Sequence, residues 1–74
     1  MKNTITADFK TEFDHSLFLS WLPAWESENK VDTGAKIRFM QVEGLFSRWT
    51  LHCSDKHFEQ LFNAVGGFNG TAHE

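Results

Sequence analysis

Histidine and cysteine are the residue types in this chain best suited to chemistry, and their one compact grouping is His52, Cys53 and His57. Two imidazoles and a thiol so close together suggest a zinc site, or a thiolate activated by a neighbouring histidine. The local geometry opposes both. His52 and Cys53 are consecutive in what reads as a β-strand, so their side chains leave opposite faces and chelate poorly together. A zinc centre usually wants four ligands in paired, short-spaced elements, and His15 and His73 are remote in sequence. Cys53 stands beside a helix start, which favours a thiolate. Its parity turns it inward, however, and no Asn or Asp is placed to orient the histidine. The expectation is a capped strand end with a buried thiol, with no metal and no cofactor.

The carboxylates offer no better catalyst. Glu26 and Glu28 are two apart on a helical turn and face different directions, while Glu12 and Asp14 flank a strand end and suit helix capping. Gly66-Gly67 follows a helix rather than opening one, so it is not a phosphate loop. A chain of 74 residues has little room for a substrate pocket. An enzyme is not expected.

What remains is recognition, and it centres on Ala35–Cys53, which reads as one β-hairpin. Ala35, Ile37 and Phe39 on the first arm and Trp49, Leu51 and Cys53 on the second hold the odd positions. Lys36 and Arg38, and Arg48, Thr50 and His52, hold the even ones. A two-residue Glu43-Gly44 loop pairing Val42 with Leu45 throughout would split the apolar set between faces. A three-residue loop, Glu43-Gly44-Leu45, pairs Val42 with Phe46 and Phe39 with Trp49 and unites it; a bulge elsewhere would serve equally. Gly44 takes the positive φ.

That register gathers Lys36, Arg38, Met40, Val42, Phe46, Arg48, Thr50 and His52 on the second face. This face holds three of the seven Lys and Arg residues and no hairpin carboxylate. Its apolar centre, Met40, Val42 and Phe46, is either covered by the chain termini or a dimer mate, or is a partner-binding surface. The candidate contact residues are Arg38, Met40, Val42, Phe46 and Arg48. Trp25 joins them as a possible exposed anchor, because it lies past Pro23, where the chain can leave the sheet.

The elements that position these residues follow from periodicity. Thr4 to Phe13 alternates as a half-buried strand. Asp14 suits an N-cap, and Leu17, Phe18, Trp21, Leu22 and Trp25 form a wide helical stripe. Pro23 within that stripe predicts a kink, or a break before a second short turn. Leu19 falls off the stripe. Asn29–Gly34 is a turn-rich connection. Ser54 caps a second helix, with Phe58, Leu61, Phe62 and Val65 facing the core, and Gly66-Gly67 supplies a left-handed C-cap. Residues 69–74 read as a short, polar, flexible tail.

The fold expected is α+β: a small two-layer domain of β-α-β-β-α order, spanning 1–74, with a three-stranded, mainly antiparallel sheet and two helices on one face. A right-handed crossover places the first strand parallel to the first hairpin arm, with the second arm, Phe46–Cys53, in the centre. Phe39, Trp49, Leu51, Phe58, Leu61 and Phe62 form the expected centre of the core. The order shares five elements with the RNA-recognition-motif topology, which has one more strand after the second helix. Only Phe68–Thr71 remains for it here, interrupted by Gly70, and that family's aromatic-and-basic third-strand motif is absent. The likeness is one of element order alone.

Eight Phe, three Trp and no Tyr make the aromatic content greasy, more than so small an interior comfortably hides. The single Cys53 excludes an intrachain disulfide framework and suits a reducing compartment. No basic leader precedes an apolar run and no segment is long enough for a membrane span, so a cytoplasmic protein is expected. Net charge of −3 opposes non-specific nucleic-acid binding. The function expected is a small intracellular protein-binding module, acting on a larger protein as inhibitor, adaptor or accessory subunit, of the kind found among phage- or plasmid-borne regulators. Single-stranded nucleic-acid binding across the hairpin face, with Phe46 stacking a base, is the alternative. A homodimer seamed by Met40, Val42 and Phe46 is the third possibility.

Overall fold

The alternation of Ile5, Ala7 and Phe9 with Thr4, Thr6 and Asp8 builds strand β1, Lys2–Phe9, with Ile5, Ala7 and Phe9 fully buried. A computed structural model describes residues 2–74. After β1 come α1 (Glu12–Asn29), β2 (Lys36–Val42), β3 (Leu45–Ser54), α2 (Asp55–Gly67) and β4 (Thr71–His73). The result is a two-layer α+β domain, with one sheet ordered β2-β3-β1-β4 and every neighbouring pair antiparallel. β3 lies between β1 and β2, so those two run parallel to each other, as the crossover through α1 requires.

The sheet has four strands rather than three. β4 forms in the segment whose composition suggests a polar tail, pairing Thr6 with His73, Ala7 with Ala72 and Asp8 with Thr71. Gly70, an apparent interruption, is what lets the chain turn back onto the core. A Cβ there would lie 2.7 Å from Phe9 Cε1 and 2.8 Å from Val65 Cγ1. The left-handed residue of this turn is Asn69, at φ 62°, while Gly66 and Gly67 complete α2. With β4 in place the order is the split β-α-β arrangement, so the final strand of the RNA-recognition-motif topology is present.

Helix α1 departs from expectation at its start and middle. Thr11 is the N-cap, and Asp14 is the third helical residue. Thr11 Oγ1 accepts from Asp14 N at 3.1 Å, which caps the helix, and donates to the Asp14 carboxylate at 2.9 Å. The helix continues unbroken through Pro23. Proline forfeits the bond to the Leu19 carbonyl, but both residues lie on the exposed side, where water replaces the donor. Beyond Asn29 the chain turns through Lys30 in the left-handed region, at φ 58°.

Core packing centres on Phe18 of α1, whose ring lies 5.1 Å from Phe9 and 5.0 Å from Trp49. Trp49, Leu51 and Leu61 are buried as the periodicity predicts, while Phe58 and Phe62 sit half-buried at the margin. Phe39 is not core. It is 63% exposed, because β2 is the sheet edge and the helices cover the central strands.

The hairpin unites its apolar residues by a bulge, not by an odd-length loop. Val42 pairs with Leu45 across Glu43-Gly44, Gly44 adopts φ 82°, and the register then shifts between Phe39 and Val42. Met40 and Gln41 thus span the distance that Phe46 alone spans on β3. Ile37 pairs with Trp49 and Phe39 with Ser47, two residues away from the Phe39–Trp49 pairing expected from an odd loop. The two-residue turn is the preferred hairpin closure, and the extra residue moves into the strand.

Candidate protein-binding surface

Four even positions of β2 and β3 face solvent as expected. Lys36, Arg38, Arg48 and His52 are all exposed, and Arg38 lies directly opposite Arg48. β1 then brings a carboxylate that the hairpin itself lacks, because its register sets Asp8 opposite Arg48. Arg48 grips Asp8 with both arms of its guanidinium, Nε to Oδ1 at 2.7 Å and Nη2 to Oδ2 at 3.1 Å. His73 of β4 stands 3.3 Å from the same carboxylate. The Arg48 hydrogen bond holds the Asp8 carboxyl below its ordinary value, and the same bond raises the Arg48 pKa. Lys36 and Arg38, by contrast, have no carboxylate within ion-pair distance among the described residues.

The bulge redistributes the apolar end of the hairpin. Phe46 does not join the open face: its ring lies 5.1 Å from His15 of α1 and 5.5 Å from Phe39. Met40 is half-buried, and Val42 is 59% exposed near the turn. The uncovered apolar row is therefore Ile37, Phe39 and Val42 along the β2 edge. Sequence reasoning assigned Ile37 and Phe39 to the interior because parity identifies a face but not its cover. Trp25 is no exposed anchor either. Continuation of α1 past Pro23 keeps it in the core at 6% exposure, stacked on Trp21 at 5.9 Å, with its indole Nε1 lacking a partner.

Two polar arrangements tie this surface to the body of the domain. His15, Ser47 and Trp49 form a buried cluster: the Ser47 hydroxyl lies 2.7 Å from His15 Nδ1, and Trp49 Nε1 donates to both at 3.2 Å. A Trp N–H only donates, so Trp49 is the donor that His15 and Ser47 share. Burial lowers the His15 pKa. Ser47 is fully buried, so a histidine–serine pair that could activate a nucleophile has no route to a substrate. At the other end, the Glu26 carboxylate accepts from Thr33 N at 2.8 Å and Thr33 Oγ1 at 2.6 Å. That bond fastens the end of α1 to the approach to β2. Neither arrangement has a sequence signal, since each joins segments that no periodicity relates.

His52, Cys53 and His57 do come together, as part of the lining of a cavity of about 240 Å³ with Trp25, Asp32 and Thr33. Among the described residues, no three His, Cys, Asp or Glu groups are placed to hold a metal. Burial, and then the charge of Asp55, raise the Cys53 pKa, which keeps the thiol protonated and unreactive.

On the open face, the central strands present Thr4, Thr6 and Asp8 from β1 and Arg48, Thr50 and His52 from β3. Of these side chains only the His52 imidazole is aromatic, so the face lacks the row of large rings on which successive bases stack. No helix among the described residues is long and apolar enough to cross a membrane. No family model matches the chain, and neither a curated protein nor a solved structure matches it.

Proposed function

We propose that this chain is a small protein-binding module, which engages a larger protein as inhibitor, adaptor or accessory subunit. The contact surface is the β2 edge and hairpin end: Ile37, Phe39 and Val42 at the centre, with Met40 beside them and Arg38 and Arg48 at the rim. The observation that carries this reading is the uncovered apolar row on an edge strand. A domain this small has every energetic reason to bury a phenylalanine, and leaves Phe39 63% exposed. Apolar centres supply desolvation energy, while rim charges steer association. A cytoplasmic setting fits the single buried thiol.

The reading is tested by capture from native cells with the tagged chain, comparing wild type with a Phe39→Asp, Val42→Asp double variant. Both positions are exposed, so the variant is expected to melt within a few degrees of wild type. Stoichiometric, nuclease-resistant capture that the variant loses supports the proposal. Capture that the variant keeps removes this surface from the function. The split β-α-β order with cations on the open face favours single-stranded nucleic acid as the second reading. Nuclease-sensitive capture that depends on Lys36, Arg38 and Arg48 would establish it instead.

A further inference from the structure

We infer that the β2 edge takes up an extended partner segment as a fifth strand of the sheet, and that this segment alternates acidic with apolar residues. This inference rests on the protein-binding reading and specifies its mode. Among the described residues β2 is one of two sheet edges and pairs only with β3, so one side of its backbone carries free donors and acceptors. Every residue of β2 except Met40 is exposed. The opposite edge, β4, is only three residues long. β2 is therefore the site open to strand addition.

The two faces of β2 define what can add. Among the described residues Lys36 and Arg38 project on the open side without carboxylate partners, and Ile37 and Phe39 project on the helix side only partly covered, Phe39 by His15 and Phe46. An added strand places its own side chains beside these, alternating in step. Carboxylates beside Lys36 and Arg38, with aliphatic groups beside Ile37 and Phe39, satisfy both faces at once. A second copy of β2 does not. Antiparallel pairing of two β2 strands about this run sets Lys36 and Arg38 against the same cations, where like charges directly opposite are destabilising. The cations that admit an acidic segment thus also prevent self-association, the usual use of charge on an edge strand. The bulge at Met40 and Gln41 breaks the ladder, which limits regular pairing to the Lys36–Phe39 half of the strand.

The test uses the full chain and a synthetic peptide alternating valine and glutamate, about as long as β2, with a valine–lysine peptide as control. Binding is followed by amide hydrogen exchange and by titration. The expected result is slowed exchange confined to β2 and an affinity that falls about tenfold in Lys36→Glu, Arg38→Glu. That variant should then favour the valine–lysine peptide, a swap that mere loss of structure cannot produce. Equal binding of both peptides to wild type, or unchanged exchange in β2, overturns the inference, as does a dimer that Phe39→Asp dissolves in sedimentation. Failure of peptide binding while Phe39→Asp, Val42→Asp still abolishes protein capture overturns strand addition alone. Capture that ignores those substitutions overturns the underlying reading as well.

Discussion

His15 is the residue whose chemistry reaches furthest through the structure. It is buried with a lowered pKa, its Nδ1 lies within hydrogen-bond distance of Ser47 and Trp49, and its ring touches Phe39 and Phe46. The unfolded chain binds a proton at this histidine near the ordinary value of 6.5, whereas the folded chain resists it. Stability is therefore full above that value and falls as pH drops below it toward the lowered folded value. His15→Gln, which keeps an acceptor but cannot titrate, should flatten that part of a plot of melting temperature against pH. Asp8 acts lower on the scale. Its folded pKa lies below 3.8 because Arg48 hydrogen-bonds the carboxylate, so its contribution is present above 3.8 and is lost as pH falls further. Asp8→Asn should remove only this acid limb, and an unchanged limb would show that the Asp8–Arg48 contact does not stabilise the fold. The cluster around His15 was not legible in the sequence: 32 positions separate it from Ser47, and the link exists only once β3 lies under α1.

At the scale of elements, local signals were readable and their closures were not. Alternation located β3 and most of β1, although the strand ends at Phe9 and Phe13 lies exposed in the first turn of α1 rather than extending it, and helical spacing located the inward stripes of α1 and α2. The hairpin's parity was correct over Lys36–Phe39 and Ser47–Cys53, yet whether the extra residue sat in the loop or in the strand could not be read, because both choices restore the same faces there and differ only at Met40, Val42 and Phe46. β4 was missed because three residues carry no measurable period, and the close approach at Gly70 that aims it at β1 has no sequence signature. Gly70→Ala should cost about 1–3 kcal/mol by overpacking, since its Cβ would meet Phe9 and Val65 below 3.0 Å. The accompanying sign is faster amide exchange along β4 and the β1 residues paired with it; a variant that melts like wild type would show that the turn can shift. Thr11→Ala should cost about 1 kcal/mol through loss of the α1 cap, and the measurement is chemical denaturation.

For the whole molecule, the β-α-β-β-α layout and the central position of β3 followed from composition, periodicity and crossover handedness. The site was less legible. Arg38, Arg48 and Val42 proved exposed, whereas Phe46 and Trp25 turned into the body of the domain, because burial depends on which strand is the edge and which helix runs on. The same strand order has a consequence for the time course of folding. β1 pairs with β3 through contacts such as Lys2–Ser54 and Phe9–Ser47, and with β4 at its other side. The β2–β3 hairpin can close locally, but β1, at the chain's start, gains both its neighbours only from later segments. During synthesis on a ribosome, which proceeds at roughly 5–20 residues per second, its apolar side waits seconds for a template. Hairpin closure, on the order of microseconds, adds nothing to that wait. In refolding from denaturant, where no synthesis precedes it, Gly44→Val is expected to reduce the refolding rate more than it raises the unfolding rate in stopped-flow measurements, because φ 82° at this turn favours glycine. A nascent chain stalled before β3 emerges would be open to proteases and chaperones along β1, and the release of that exposure marks the moment the domain becomes one cooperative unit.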